Sequence, residues 1–191
     1  MGVNQNFDAM KMDGIEQDWL NRGVFVHPTA RIYGRVEIGN GVEIGPYVVI
    51  GDQAQIKTGY KTQPIGKVKI GAGTVIKAHA HISSGSFDVT EVGKNCFIMG
   101  AVHIGHDCKI GNNVVLTEGA KIAGEVHICD YANIGLGALI HQGVLIPAKC
   151  MIGMGSVVTK KAAAQMRHAE TWAGTPARKL GMNRKWLNME I

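Results

Sequence analysis

From Val26 onward the chain places an aliphatic side chain at every sixth position, with polar and small residues between. The first run is Val26, Ile32, Ile38, Ile44, Ile50 and Ile56, and the second is Ile70, Ile76 and Ile82. The third passes from Val92 through Ile98, Ile104, Ile110, Leu116, Ile122, Ile128, Ile134, Ile140, Ile146 and Ile152 to Val158. Four residues after most of these stands a smaller partner, as at Ala30, Val42, Thr74, Ala80, Val102, Ala120 and Ser156. An α-helix cannot use this spacing, because six residues advance it by about 600° and the marked positions would rotate around it. A short strand followed by a turn can: the aliphatic residue and its partner both point inward, and the pattern predicts a parallel β-solenoid. Glycine right after the aliphatic position, as at Gly39, Gly45, Gly71, Gly93, Gly105 and Gly111, is expected to serve the corner. With three hexads to a coil, 21 hexads make seven coils, roughly 34 Å tall at the usual strand spacing.

Two interruptions break the register, between Ile56 and Ile70 and between Ile82 and Val92. They predict loops over 57–69 and 83–91, expelled at corners and placed to wall a binding site, with tolerated insertion as the alternative. Residues 1–23 lie outside the period and read as a cap with a short helix around Ile15 to Leu20. The coil domain spans 24–160, and 161–191 reads as a short helical extension that includes a turn and strand at AGTPARKL. Solenoid ends need such caps to hide the core and to block edge-to-edge pairing.

Composition fits a turn-rich, small-residue fold: 26 glycines, 6% aromatic and 18% charged residues argue against a helical bundle. The net charge of +5 suits an acidic partner or a phosphorylated ligand and is too weak to argue for nucleic acid. No apolar run approaches the ~18 residues of a membrane span, and acidic residues sit where a secretory signal needs an apolar stretch, so a cytoplasmic location is expected. Cys96, Cys108, Cys129 and Cys150 have no CxxC spacing, and three of them occupy small-partner positions, which predicts reduced, packed thiols.

The candidate chemistry lies in the histidines. With 18 residues to a coil, His106, Gly124 and Gln142 stack on one side, and His141 lies beside Gly105 and Ala123. His106, Asp107, Gly124, His141 and Gln142 therefore fall within two coils, about 10 Å. A single turn histidine is ordinarily a solvated surface residue, but here Asp107 can orient a ring. No histidine or cysteine spacing on one element marks a metal site, and none is expected.

NCFIMGAVHIGHDCKIGNNVVLTEGAKIAGEV, followed by IGLGALIHQGVLIPAKCMIG, resembles the UDP-N-acetylglucosamine acyltransferases of lipid A synthesis. These are hexapeptide-repeat enzymes, and the resemblance covers roughly residues 24 to 182. The tail MGSVVTKK...WAGTPARKL is similar to acetyl-CoA-dependent sugar acetyltransferases. The resemblance implies an all-β, left-handed, three-sided parallel β-helix, assembled as a homotrimer with sites in the clefts between subunits. It implies acyl transfer from a thioester carrier, acyl carrier protein or coenzyme A, to a hydroxyl or amine of a nucleotide sugar, with no bound cofactor. By the same resemblance His106 is the general base, Asp107 holds its ring, and the Gly124 N–H is the oxyanion donor. His103, His141 and Gln142 match substrate-contacting positions, and Lys61 is a looser match to a phosphate- or sugar-binding lysine.

The chain departs from that pattern in three places. Glu125 stands where the family has a further histidine, here also counted among the substrate-binding positions. Met154 occupies the place that limits acyl length, which implies a short or medium acyl group. The family's enzymes also continue into a helical C-terminal domain, whereas only about 30 residues follow the last hexad here. Lys160, Lys161, Arg167, Arg178, Lys179, Arg184 and Lys185 could meet coenzyme A phosphates or an acidic carrier protein, or could form a solvated cap. Two competing classes stand beside acyl transfer: a non-catalytic scaffold, and a zinc enzyme of the carbonic anhydrase type using three histidines across an interface.

Overall fold

The aliphatic period folds as its spacing requires: most of the marked aliphatic side chains end a short strand, and the chain turns before the next. The computed structural model describes residues 15–56 and 66–187. Strands stack into three parallel faces. The first face carries Phe25–Val26, Glu43–Ile44, Val75–Ile76, Phe97–Ile98, Val115–Leu116, Asn133–Ile134 and Met151–Ile152. On the second lie Arg31–Ile32, Val49–Asp52, His81–Ser83, His103–Ile104, Lys121–Ile122, Leu139–Ile140 and Val157–Val158. The third holds Arg35–Ile38, Lys67–Ile70, Val89–Val92, Lys109–Ile110, His127–Ile128 and Leu145–Ile146.

The core is a column of these side chains. Every marked aliphatic residue except Val26 and Ile56 is buried, and Ala80, Val102, Val114, Ala120, Ala132 and Ser156 fill the space between them. Truncating one of the fully buried isoleucines to alanine would cost about 2–5 kcal/mol, because the stacked coils cannot collapse around the hole. The Cys96, Cys108 and Cys150 thiols are free and buried, each donating to a carbonyl at 3.0 Å, those of Gly111, Ala123 and Arg167. Burial pushes the Cys108 thiol up to about 12, so it is a packing group and not a nucleophile.

Four expectations are corrected. Ile56 occupies no ladder position: Ile38 pairs with Ile70 and Ile50 with Ile82, so the strand after Asp52 on the third face is Lys67–Ile70. The first excursion therefore runs from Gln53 to Gly66, with 57–65, including Lys61, outside the described residues. The second spans only Ser84 to Asp88, since Ser83 ends one strand and Val89 begins the next. The glycine after the aliphatic residue is not what bends the corner. The left-handed residue comes two positions later, as at Tyr47, Asn95, Asp107, Glu125 and Lys149, while Gly71 and Gly105 answer to stacking. A Cβ at Gly71 would lie 2.5 Å from the Gly93 carbonyl carbon, and one at Gly105 2.7 Å from the Gly124 nitrogen.

The fourth correction lies in the tail, which holds one strand more than the one expected at AGTPARKL. Glu170–Ala173 adds an eighth parallel strand to the first face, with buried Trp172 in register with Ile152, and Arg178–Met182 pairs antiparallel to it. Buried Glu170 accepts from the Trp172 indole at 2.9 Å and the Arg167 N–H at 2.8 Å, and it pairs with Lys179. Short helices Lys160–Ala163 and Arg184–Leu187 complete the extension, and Ile15–Asn21 caps the other end, where Trp19 is buried.

Candidate active site

Both excursions leave the coil at the corner joining the second face to the third, and helix Lys160–Ala163 begins there too. His106 and Asp107 lie at the same corner, between His103–Ile104 and Lys109–Ile110. The coils above contribute Gly124 and Glu125, then His141 and Gln142. Their stacking is fixed by backbone bonds: the Glu125 N–H donates to the His106 carbonyl at 2.8 Å and the Gly143 N–H to the Gly124 carbonyl at 3.0 Å.

His106 Nδ1 sits 2.9 Å from Asp107 Oδ2, with both side chains largely buried. Its ring lies flat over the next coil at Gly124, where a Cβ would fall 2.5 Å from Nε2 and 2.7 Å from Cε1. Glycine at 124 is thus the seat of the imidazole, a requirement of space and not of backbone conformation. Among the described residues, the Gly124 N–H has no acceptor, which leaves it free to bind a developing oxyanion.

Asp107 takes the left-handed conformation of its corner, φ 58°, one that Asp tolerates better than most residues. Its carboxylate also accepts from the Ser86 hydroxyl and from the N–H groups of Ser86 at 2.8 Å, Phe87 at 3.2 Å and Asp88 at 2.9 Å. Burial raises the carboxyl, but the bonds from Ser86, His106 and the Asp88 backbone outweigh it and bring it down to about 2. The carboxylate is therefore ionised throughout the neutral range.

Of the other sequence-predicted residues, Glu125 and Gln142 meet directly, the Gln142 amide donating to Glu125 Oε1 at 2.8 Å. His141 is exposed one residue away, its Nδ1 3.0 Å from the Gln142 carbonyl. His103 lies on the flat second face, stacked on His81 with ring centroids 5.1 Å apart and Nδ1 atoms 3.0 Å apart. Burial, then His81 and Lys121, pull its ring down to about 4. Met154 is not brought to His106 within one chain: it is 77% exposed at the corner between the first and second faces, one coil above Leu136. Sequence reasoning missed Ser86 and His81. Ser86 lies in the excursion expected to wall a site, but nothing in SSGSFD marks which residue turns inward. Among the described residues no group of three or more His, Cys, Asp or Glu side chains is arranged to hold a metal ion, and no helix is long and apolar enough to cross a membrane.

Known proteins share the repeat and the fold. The family described as bacterial transferase hexapeptide (six repeats) matches residues 20–52 and 90–124, and the hexapeptide repeat of succinyl-transferase matches 126–160. The acyl-[acyl-carrier-protein]–UDP-N-acetylglucosamine O-acyltransferase of Campylobacter concisus is 35% identical over 144 residues, 74% of this chain and 55% of the relative. That of Burkholderia orbicola is 39% identical over 126 residues, 64% of this chain and 47% of its own. The chain thus spans about half the length of the curated relatives it matches. The solved UDP-N-acetylglucosamine acyltransferase of Campylobacter jejuni superposes with a TM-score of 0.80 at 29% identity, covering 88% of this chain and 65% of that one. The Bacteroides fragilis enzyme gives 0.78 at 28%, covering 86% and 63%. The six-residue ladder, the matched repeats and these superpositions have one reading: the chain belongs to the hexapeptide-repeat acyltransferase family.

Proposed function

We infer that this protein transfers an acyl group from a thioester carrier to a hydroxyl or amine of a nucleotide sugar. The observation that carries the reading is the His106 ring, held by ionised Asp107 at Nδ1 and resting over Gly124. With Nδ1 protonated toward Asp107, Nε2 presents a lone pair to the acceptor. It takes the acceptor's proton as that oxygen or nitrogen attacks the thioester carbonyl. The negative charge moves to the carbonyl oxygen, stabilised by the Gly124 N–H. Collapse of the intermediate breaks the carbon–sulfur bond, and the departing thiolate receives the proton from His106.

The relatives' names support acyl carrier protein as donor carrier and UDP-N-acetylglucosamine as acceptor. In this reading Glu125, His141 and Gln142 line the acceptor side. A neighbouring copy in a homotrimer closes the cleft and brings its exposed Met154 against the acyl chain, which makes the preferred acyl group short or medium. Coenzyme A as carrier is the second reading, favoured by a cavity of about 250 Å³ lined by Lys161, Trp172, Arg178 and Lys179 that could take its phosphates.

The test is intact-mass spectrometry of UDP- and dTDP-sugars incubated with the protein and either acetyl-CoA or acyl carrier proteins bearing short to long chains. A mass shift with one donor, absent in His106→Ala, establishes donor and acceptor together. Equal product from the variant, or none with any donor, overturns the reading.

A further inference from the structure

We propose that Ser86 is a positioning residue for the catalytic pair: its hydroxyl and the N–H groups of the loop tip clamp the Asp107 carboxylate, and the clamped carboxylate fixes the tautomer and orientation of His106. The proposal deepens the acyl-transfer reading and rests on it for its catalytic consequence.

The geometry that carries it is local. The Ser86 hydroxyl donates to Oδ2 of Asp107, the oxygen that also meets His106 Nδ1. Ser86 Oγ is 3.4 Å from that same Nδ1. A hydroxyl has one proton, and here it goes to the carboxylate, so the oxygen turns a lone pair toward the ring. His106 Nδ1 then faces two acceptors, Asp107 Oδ2 and Ser86 Oγ, and must carry its proton there. Nε2 is left with the lone pair that a base needs. The N–H groups of Ser86 and Asp88 occupy Oδ1 at 2.8 and 2.9 Å, so the carboxylate cannot rotate away.

The loop is itself anchored at both ends. The Ser84 N–H donates to the Asp52 carbonyl at 2.8 Å, while Lys109 pairs with Asp88 at 2.9 Å and donates to the Val89 carbonyl at 2.8 Å. Beneath the site, the Asp107 N–H donates to buried Thr90 Oγ1 at 2.9 Å. Four residues inserted between the second and third faces thus end as a cap on one carboxylate. A solvated turn would not spend its serine hydroxyl and three successive N–H groups on a single side chain from the next coil. A carboxylate shared among so many donors orients an imidazole without taking its proton.

The test reads the ring directly. In protein labelled with 15N-histidine, long-range proton–nitrogen spectra across pH report the tautomer and titration of His106, assigned by its loss in His106→Ala. The unaltered protein should show one tautomer with the proton on Nδ1. Ser86→Ala should keep the proton on Nδ1, since the backbone N–H groups still hold Oδ1, and should titrate at higher pH than the unaltered protein, because Oδ2 turns its undivided charge on the imidazolium. The acidic limb of kcat/KM should move upward by the same amount, and Ser86→Thr should restore both. In Asp107→Asn, adding Ser86→Ala should produce no further shift. If the alanine variant fails to fold, Ser86→Cys, a close match in size with a weaker donor, carries the same test.

A folded Ser86→Ala or Ser86→Cys variant with an unmoved midpoint overturns the proposal. So does a full further shift in the Asp107→Asn background. A protein that transfers no acyl group yet shows the midpoint change refutes the acyl-transfer reading and supports the clamp. Transfer that His106→Ala abolishes, with no spectral response to Ser86, does the reverse.

Discussion

His103 and His106 stand three residues apart in one hexad, yet the coil gives them opposite electrostatics. His103 ends up on a flat face, where its neighbours on either side are His81 and Lys121. Burial first, and then the charges of His81 and Lys121, hold it neutral down to about pH 4. His106 is at a corner, where the chain has room for an inserted loop, and its partner is a carboxylate held by five donor groups. A flat parallel face repeats its neighbours by register, so the adjacent strands choose a histidine's partner. A corner can take insertions, and an insertion can bring donors that the repeat does not encode. The proposed base therefore sits at the corner, and the face suits a neutral hydrogen-bonding residue.

Removing each ring in turn should break the comparison most sharply. His106→Ala should lower kcat/KM for acyl transfer by about 10²–10⁴-fold, as loss of a general base does. His103→Ala should cost about tenfold or less and act mainly on KM, because a neutral face histidine contributes a contact and not a proton transfer. Steady-state kinetics on both variants decide it, and equal losses in kcat would show that face and corner are not distinct.

The two glycines beneath the site give the next largest effect. At Gly124 an added Cβ meets the end of a side chain, the His106 imidazole, which can swing aside. Gly124→Ala should therefore fold with a Tm within about 2 °C of the unaltered protein and lose about 10–100-fold in kcat/KM, since the base is displaced by an ångström or more. A Cβ at Gly105 meets backbone instead, 2.7 Å from the Gly124 nitrogen and 2.8 Å from the Ala123 carbonyl carbon. Backbone in a stacked coil cannot yield, so Gly105→Ala should cost about 2 kcal/mol and lower Tm by roughly 4–8 °C. Calorimetry beside kinetics separates the two, and a Gly124→Ala variant that keeps full activity would contradict the seat assigned to the ring.

What the sequence made legible follows the same division between face and corner. The faces could be read because each inward position must be aliphatic, and the 18-residue coil length then placed His106 over Gly124 and Gln142 before any coordinates. Ile56 shows the limit of that reading: it has the right chemistry at the right interval, but a ladder position also needs a partner strand, and Lys67–Ile70 takes it. Trp172 fails the aliphatic pattern and still fills the ladder, because the last coil borders a cap with room for an indole. Ser86 was invisible for a physical reason. Its contact with Asp107 spans 21 residues and depends on how a loop outside the period folds back. The His81–His103 stack was hidden by the same insertion, which makes the spacing 22 residues where the uninterrupted coil would have 18.

Asp107 tests the corner through stability, with a smaller effect. Its folded-state carboxyl lies at about 2, below the ~3.9 of an unfolded aspartate, so the stabilisation is fully present above pH 4 and is lost as pH falls through about 2. Asp107→Asn should remove that dependence. The difference in unfolding free energy between pH 5 and pH 2, measured by urea titration, should shrink by about 2 kcal/mol. An unchanged difference would mean that the donors around Asp107 hold a neutral group as well as a charged one.

The smallest effect belongs to the face. His103 is pulled down first by burial and only then by His81 and Lys121, so replacing His81 with Asn should return part of the shift and not all of it. The His103 midpoint should rise by about 0.5–1 unit from about 4, followed in the same histidine ring spectra. Between pH 6.5 and about 4 the native state with a depressed histidine holds fewer protons than the unfolded chain, so stability falls as pH falls through that window. His81→Asn should flatten this fall by at most about 1 kcal/mol. A midpoint that does not move would assign the neutrality of His103 to burial alone. The stacked ring would then be a packing partner, and the contrast with His106 would rest on the carboxylate at the corner.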